Sequence, residues 1–322
     1  MMLTVNNIIR SVYRASPSSD IDKFNILSIG PNNEKYLSLL AQTEHKFYIL
    51  PENPWNDLIE NKPSNIQDIT LLLDDLDFII CYNRAEQYEH AQYWSKQLHV
   101  PIILVDMCSA NLIRPQHLLE GVDVKNRELL NKQPALRVSC TEYIQESWSS
   151  TKSIVIPIGI DTNKFKANKP ENEIYVAIDN NTVQQIGNVI ASHIGNSYQV
   201  IPTDHSNLND ISLNKAKYFI NTNKSITVKT LEAMAAGTIV ISSRTPDSEK
   251  YIDNYKTGVL IDHIENIMLV LDTFEGPDIE LAKEISTNAR QKIIDEHSME
   301  NFLSKWHQAF NIARSTFYVP EI

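Results

Sequence analysis

Leu231-Glu232-Ala233-Met234-Ala235-Ala236-Gly237-Thr238-Ile239-Val240-Ile241-Ser242 decides the reading of this chain, because it joins a small-residue helix with a single carboxylate to a β-branched strand. The strand half holds Ile and Val without alternation, as a strand buried on both faces of a parallel sheet does. The alanines before Gly237 let the helix pack close to that sheet. Glu232 is the odd residue out, since a carboxylate beside such a helix needs a hydrogen-bond partner if it is buried. A vicinal diol, such as a ribose, is a natural one.

Working outward, short apolar strands alternate with helices along the whole chain. Phe24 to Gly30 reads as a strand ending in Gly, with a helix from Pro31 through Leu40. Phe78 to Tyr82, Pro101 to Val105, Leu136 to Cys140 and Ser153 to Pro157 continue the strands, with helices at Ala85 to Leu98 and Thr141 to Trp148. Later strands fall at Ile174 to Ile178, Tyr198 to Ile201, Ala216 to Asn221 and Gly258 to Ile261, and amphipathic helices at Glu280 to Glu296 and Met299 to Ala313 close the chain. Ser298 is the expected N-cap of the last. This order predicts parallel strands with right-handed crossovers in doubly wound sheets, with ligands at the strand C-terminal ends.

The 322 residues fit two domains of about 150 residues each. At 42% hydrophobic and 21% charged, the composition is that of an ordinary globular protein, with no apolar run long enough to span a bilayer. No signal peptide is read in Met1 to Arg14, which predicts a cytoplasmic location. Cys81, Cys108 and Cys140 are odd in number and widely spaced, so neither a disulfide framework nor a zinc site is indicated. The net charge of −11 argues against a global basic surface for nucleic acid, though not against a local basic groove. The mildly basic loop Asn163 to Lys169 reads as a solvated linker. Asp74, Asp75 and Asp77 precede a strand rather than follow one, so no metal dependence is expected.

The stretch around Glu232 resembles the signature of the family-four retaining glycosyltransferases, in which a Glu, seven residues and a second Glu run into a Leu-Glu-Ala-Met-Ala-x-Gly helix. Ile156-Pro157-Ile158-Gly159-Ile160-Asp161, with Phe165 beyond it, resembles the family's hinge. The resemblance covers most of residues 136 to 315. It implies an α/β fold of the GT-B kind, two doubly wound Rossmann-like domains with a cleft between them. An acceptor-side domain would span 1–157 and a nucleotide-sugar domain 158–304, with a C-terminal helix of about 305–322 packing back on the first. Two departures stand out: the first Glu of the signature is Lys224 here, and Thr227 stands where the family has Gly. Neither the family's Gly-Arg motif nor its Lys-Gly pair occurs in Ala177 to Val183.

The resemblance places the donor ribose on Glu232 and the diphosphate at the helix start, Ser225-Ile226-Thr227-Val228, where backbone amides and the dipole favour anions. Lys224 stands beside that start, either on a phosphate or solvated. Arg244, just after the signature strand, is a second candidate cation, with a surface salt bridge as its alternative. In the first domain Arg84 and Asp106 follow strands and are candidate catalytic contacts to acceptor or sugar, against helix capping or an ion pair. Gly30 and Asn32 lie on the loop after the first strand, where backbone can approach a ligand closely.

The implied activity is transfer of a hexosyl or pentosyl group from a nucleotide-diphospho-sugar, UDP-linked, to a hydroxyl acceptor with retention and no further cofactor. The Asn-, Lys- and Ile-rich composition is compatible with a phage or AT-rich bacterial source, where acceptors are surface glycans or hydroxymethylated DNA bases. Two rivals are a non-catalytic homologue that binds a nucleotide sugar and acts through a partner, and an epimerase on the same fold.

Overall fold

The computed structural model describes residues 23–30, 34–52, 54–55, 61–69, 75–82, 85–107, 134–148, 152–165, 174–179, 198–203, 210–223 and 226–318. The chain forms two compact units, Met1–Pro157 with Phe302–Ile322, and Ile158–Asn301.

Among the described residues the first unit has seven parallel strands: β1 (Asn25–Ile29), β2 (Lys46–Ile49), β3 (Ile66–Asp68), β4 (Phe78–Tyr82), β5 (Ile102–Asp106), β6 (Leu136–Ser139) and β7 (Ser153–Val155). They lie in the order β3-β2-β1-β4-β5-β6-β7. β4 and β5 are buried along their whole length, as the unbroken apolar runs predict. Two strands were not read from the sequence. β2 is only four residues long, and β3 buries a single residue, Ile66, so neither carries a run of apolar residues long enough to announce itself. Helices α1 (Glu34–Ala41), α2 (Ala85–Leu98) and α3 (Glu142–Trp148) follow β1, β4 and β6. The Thr141 hydroxyl caps α3 by accepting the Ile144 amide at 3.1 Å.

Among the described residues the second unit has five parallel strands: β8 (Ile174–Asp179), β9 (Tyr198–Thr203), β10 (Ala216–Asn221), β11 (Ile239–Ser243) and β12 (Val259–Ile261). Their order is β12-β11-β10-β8-β9. The helices are α4 (Asp210–Lys215), α5 (Val228–Ala235), α6 (Ser248–Tyr251), α7 (Asn266–Phe274), α8 (Ile279–Glu296) and α9 (Met299–Tyr318). The sheet's core pairs Val176, Ile220 and Ile241 with Ile267, Leu271 and Ile285 from the covering helices.

The stretch that opened the reading folds as its composition requires. Ala233, Ala235 and Ala236 are fully buried, which brings α5 close to the sheet. Gly237, at φ 65, ends the helix in the left-handed region. Its amide donates to Met234 and that of Thr238 to Ala233, a Schellman closure that turns the chain straight into β11. The Thr238 hydroxyl then donates to the carbonyls of Leu213 and Ala216, locking the helix exit to the start of β10.

From Phe302 onward α9 belongs to the first unit and supplies an aromatic seam. Trp306 and Phe310 meet as tilted rings at 5.4 Å, and Phe310 meets Phe24 and Phe78 at 5.8 and 5.2 Å. His45 lies in the same seam, 5.1 Å from Phe310, and burial with His307 nearby holds its imidazole down to about 4. Ser298 does meet the Asn301 amide, at 3.3 Å. No helix among the described residues is long and apolar enough to cross a membrane.

Candidate functional site

In each sheet the strand order reverses at one place, and in open parallel sheets ligands bind outside the strand C-termini at that reversal. The reversals lie between β1 and β4 in the first unit and between β8 and β10 in the second.

At the first reversal Gly30 leaves β1 at φ +141, and a Cβ there would lie 2.5 Å from Oε1 of Gln87, on α2. Glycine is required because L side chains rarely adopt that φ, and the end of Gln87 lies close over the backbone. Two side chains here are buried with an oxygen that has no hydrogen-bond partner: Gln87 Oε1 and, at the start of α1, Glu34 Oε2. An unmet buried acceptor costs about 1–3 kcal/mol, so the two together mark a place where the chain gives up stability. No role was read for Gln87 or Glu34 from the sequence. The one signal available was their position just after strands, Glu34 following Gly30 at the end of β1 and Gln87 following β4. Arg84 and Asn32, the other candidates from these loops, lie outside the described residues.

Asp106 also keeps a buried oxygen, Oδ1, without a partner, but its other oxygen is held in an ion pair. It ends β5 opposite Ser139 on β6, fully buried, and its Oδ2 accepts Nε of Arg137 at 2.7 Å and the Ser139 hydroxyl at 3.3 Å. The Arg137 guanidinium lies 4.5 Å from the centre of the Trp148 ring. Burial pushes the carboxyl up to about 6, with Arg137 pulling it back. The sequence offered an ion pair as the alternative to a catalytic contact, and the ion pair is what forms.

At the second reversal the chain leaves β10 through Asn221, whose side-chain oxygen accepts the Asn223 amide, and enters α5. Lys224 and Ser225 lie outside the described residues. Thr227 is the N-cap: it accepts the Thr230 amide at 3.3 Å, and Thr230 Oγ1 in return accepts the Thr227 amide at 3.4 Å. Thr230 thus does with a hydroxyl what Glu or Gln does in the usual capping box. Val228 and Glu232, one turn apart, are the residues of α5 that are not buried, so the carboxylate shares a face with the helix start. The other end of α5 is fixed by Arg290 of α8, which donates to the carbonyls of Ala235, Phe165 and Thr162. Arg290 was not singled out in the sequence, because three backbone acceptors distant along the chain leave no motif.

Ile226 carries an unexpected partner. Its amide donates to Oδ2 of Asp247 at 2.8 Å. Asp247 is 7% exposed, its Oδ1 has no partner, and burial raises its pKa while the Ile226 amide draws it down. Arg244, the candidate cation, is engaged by Asp262 at 3.0 Å and Glu249 at 3.2 Å. It lines a pocket of about 380 Å³ with Tyr255, Asp262 and Leu269. Of the two readings offered for it, the surface salt bridge is the one observed. Among the described residues no group of three His, Cys, Asp or Glu gathers as a metal site.

Residues 199–308 match the family model described as glycosyl transferase-like. Among solved structures, HepE of Anabaena in complex with UDP is similar at a TM-score of 0.70 and 12% identity, over 90% of this chain and 100% of that one. The chain has the GT-B fold, and its residues 199–308 are similar to the glycosyl transferase-like family. The same GT-B likeness extends to sucrose-phosphate synthase of Thermosynechococcus elongatus, at 0.69 and 12% over 89% and 98% of the two chains. It extends also to a glycosyltransferase from Rickettsia africae, at 0.64 and 15% over 91% and 99%. No curated protein sequence matches the GT-B chain.

Proposed function

We propose that this chain transfers a sugar from a UDP-linked donor to a hydroxyl acceptor, with retention at the anomeric carbon. The observation that carries this is the start of α5 at the reversal of the second sheet, with Glu232 one turn inside on the part-exposed face. A helix start favours a diphosphate through its dipole, and a carboxylate 4 residues on, at a rise of about 1.5 Å per residue, suits a ribose diol. Thr227, Val228 and Glu232 are the residues we assign to the nucleotide. The HepE and glycosyltransferase likenesses support the same donor class: HepE has been crystallised with UDP and with UDP-glucose.

For the acceptor, the net charge of −11 favours a glycan over duplex DNA, whose phosphates would be repelled. The unmet acceptor oxygens of Glu34 and Gln87 at the first reversal suit a ligand rich in hydroxyl donors, which a glycan is.

The test is an incubation of the purified chain with UDP-glucose, UDP-galactose and UDP-N-acetylglucosamine, following UDP release and the anomeric configuration of the released or transferred sugar by proton NMR. Release of UDP with an α-configured product supports the reading, and a β-configured product removes retention from it. Nucleotide binding without any release from any donor moves the chain to a binding role.

A further inference from the structure

The turn after β11 is already closed without Asp247. The Ser248 amide donates to the Thr245 hydroxyl at 3.0 Å, and the Thr245 amide donates to the Ser248 hydroxyl at 2.8 Å. Asp247 occupies the N-cap position of α6, yet its side chain makes no capping bond to that helix. It turns instead to α5, placing Oδ2 on the Ile226 amide and leaving Oδ1 buried with no donor. A carboxylate that caps nothing of its own, with one oxygen unmet at the mouth of another helix, is a hydrogen-bond acceptor waiting for a ligand group.

The chemistry of that group is narrow. A phosphate would meet like charge at the oxygen and find the Ile226 amide already taken. A neutral hydroxyl fits, because its O–H donates to a carboxylate oxygen in a charge-assisted bond. Ile226 and Thr227 are only half-buried, so the helix start beside the carboxylate is open to a ligand. Within the proposed donor site Glu232 is assigned to the ribose, which leaves the transferred sugar as the remaining source of hydroxyls.

We infer that Asp247 is a specificity residue of the donor site, accepting a hydroxyl of the transferred sugar at Oδ1 and keeping the diphosphate off the Ile226 amide. This rests on the reading of the second unit as the UDP-sugar site.

Titration calorimetry with UDP and with the three UDP-sugars named above, on the wild type, Asp247→Asn and Asp247→Gly, tests it. Asp247→Asn keeps the shape and removes the charge. We expect it to bind the preferred UDP-sugar about tenfold more weakly while UDP stays within about twofold. Asp247→Gly frees the Ile226 amide, so it should bind UDP about threefold more tightly than wild type and lose the same preference for the sugar. Equal weakening toward UDP and UDP-sugar in Asp247→Asn makes the residue a structural strut and overturns the inference, as does no change toward either. A wild type that binds all four ligands alike overturns it as well. A wild type that binds none of them sinks the donor-site reading itself, which separates the two failures.

Discussion

The two sheet reversals are built from the same parts, a strand end, a turn and a helix start, but they offer opposite chemistry. At the first, between β1 and β4, Glu34 Oε2 and Gln87 Oε1 are acceptors without donors. At the second, between β8 and β10, the helix start offers N–H groups, and the protein has already satisfied most of them from within, with the Thr227–Thr230 box and the Asp247 carboxylate. One end asks for hydroxyls; the other offers a dipole whose nearest amide is guarded by a resident anion. The difference teaches that a shared topology sets where ligands bind, whereas the side chains after the strands set which ligand each end can hold.

Away from both ends, the sheet of the first unit also buries an ion pair. The largest effect we expect comes from there. Arg137→Met leaves Asp106 without its guanidinium, and urea unfolding at pH 7.5 should show a loss of about 3–5 kcal/mol with UDP affinity retained by the protein that stays folded. A loss below about 1 kcal/mol would show that the pair is not holding β5 to β6. Burial raises the Asp106 carboxyl and Arg137 is what draws it back, so in the variant it rises further, and lowering the pH to 5 should recover part of the loss by protonating it.

Next in size is Glu232→Ala. If the second reversal is the nucleotide end, UDP affinity should fall about 10- to 100-fold, the worth of one or two hydrogen bonds to a charged group. The melting temperature should hardly move, since Glu232 lies outside the buried face of α5. Unchanged affinity would remove the residue from the site and leave the comparison resting on the first reversal alone.

The pH response of the first unit is smaller in scale. His45 stays neutral when folded, its value lowered to about 4 from 6.5, so its contribution is present above about pH 6.5 and lost as the pH falls toward 4. Asp106 runs the other way: its folded value is raised, so its contribution is full below its ordinary carboxylate value and lost as the pH rises through about 6. His45→Phe removes the acid-labile half and suits the ring contacts with Phe24 and Phe310. Thermal melts of this variant should fall less than those of wild type between pH 7 and 5. An identical fall in both proteins would take His45 out of the account.

The smallest change is Gln87→Leu. An apolar residue in place of an amide whose buried oxygen is unmet should stabilise the free chain by up to about 1 kcal/mol while sugar transfer drops and UDP binding holds. A variant that is more stable and fully active would strip the first reversal of its role in the acceptor.

Much of the fold was legible because its instructions are local. The unbroken apolar runs at Phe78–Tyr82 and Ile102–Asp106 appear as buried strands, and Gly237 ends its helix where the composition changes. β2 and β3 were missed because four residues and a single buried Ile give no period to read. Of the site, the sequence singled out the start of α5 and Glu232 but could not show what stands beside them.

Residues within a few positions of one another set the alternation of strand and helix and the close packing of the alanine-rich α5 on its sheet, and these could be read from the sequence alone. What only the tertiary structure decided was the pairing of groups distant along the chain: Asp106 with Arg137 across 31 residues, Ile226 with Asp247 across 21, Arg290 with the end of α5 across 55. Strand register and helix packing choose those partners, and a side chain's hydrogen bonds are fixed only when its neighbours in space are.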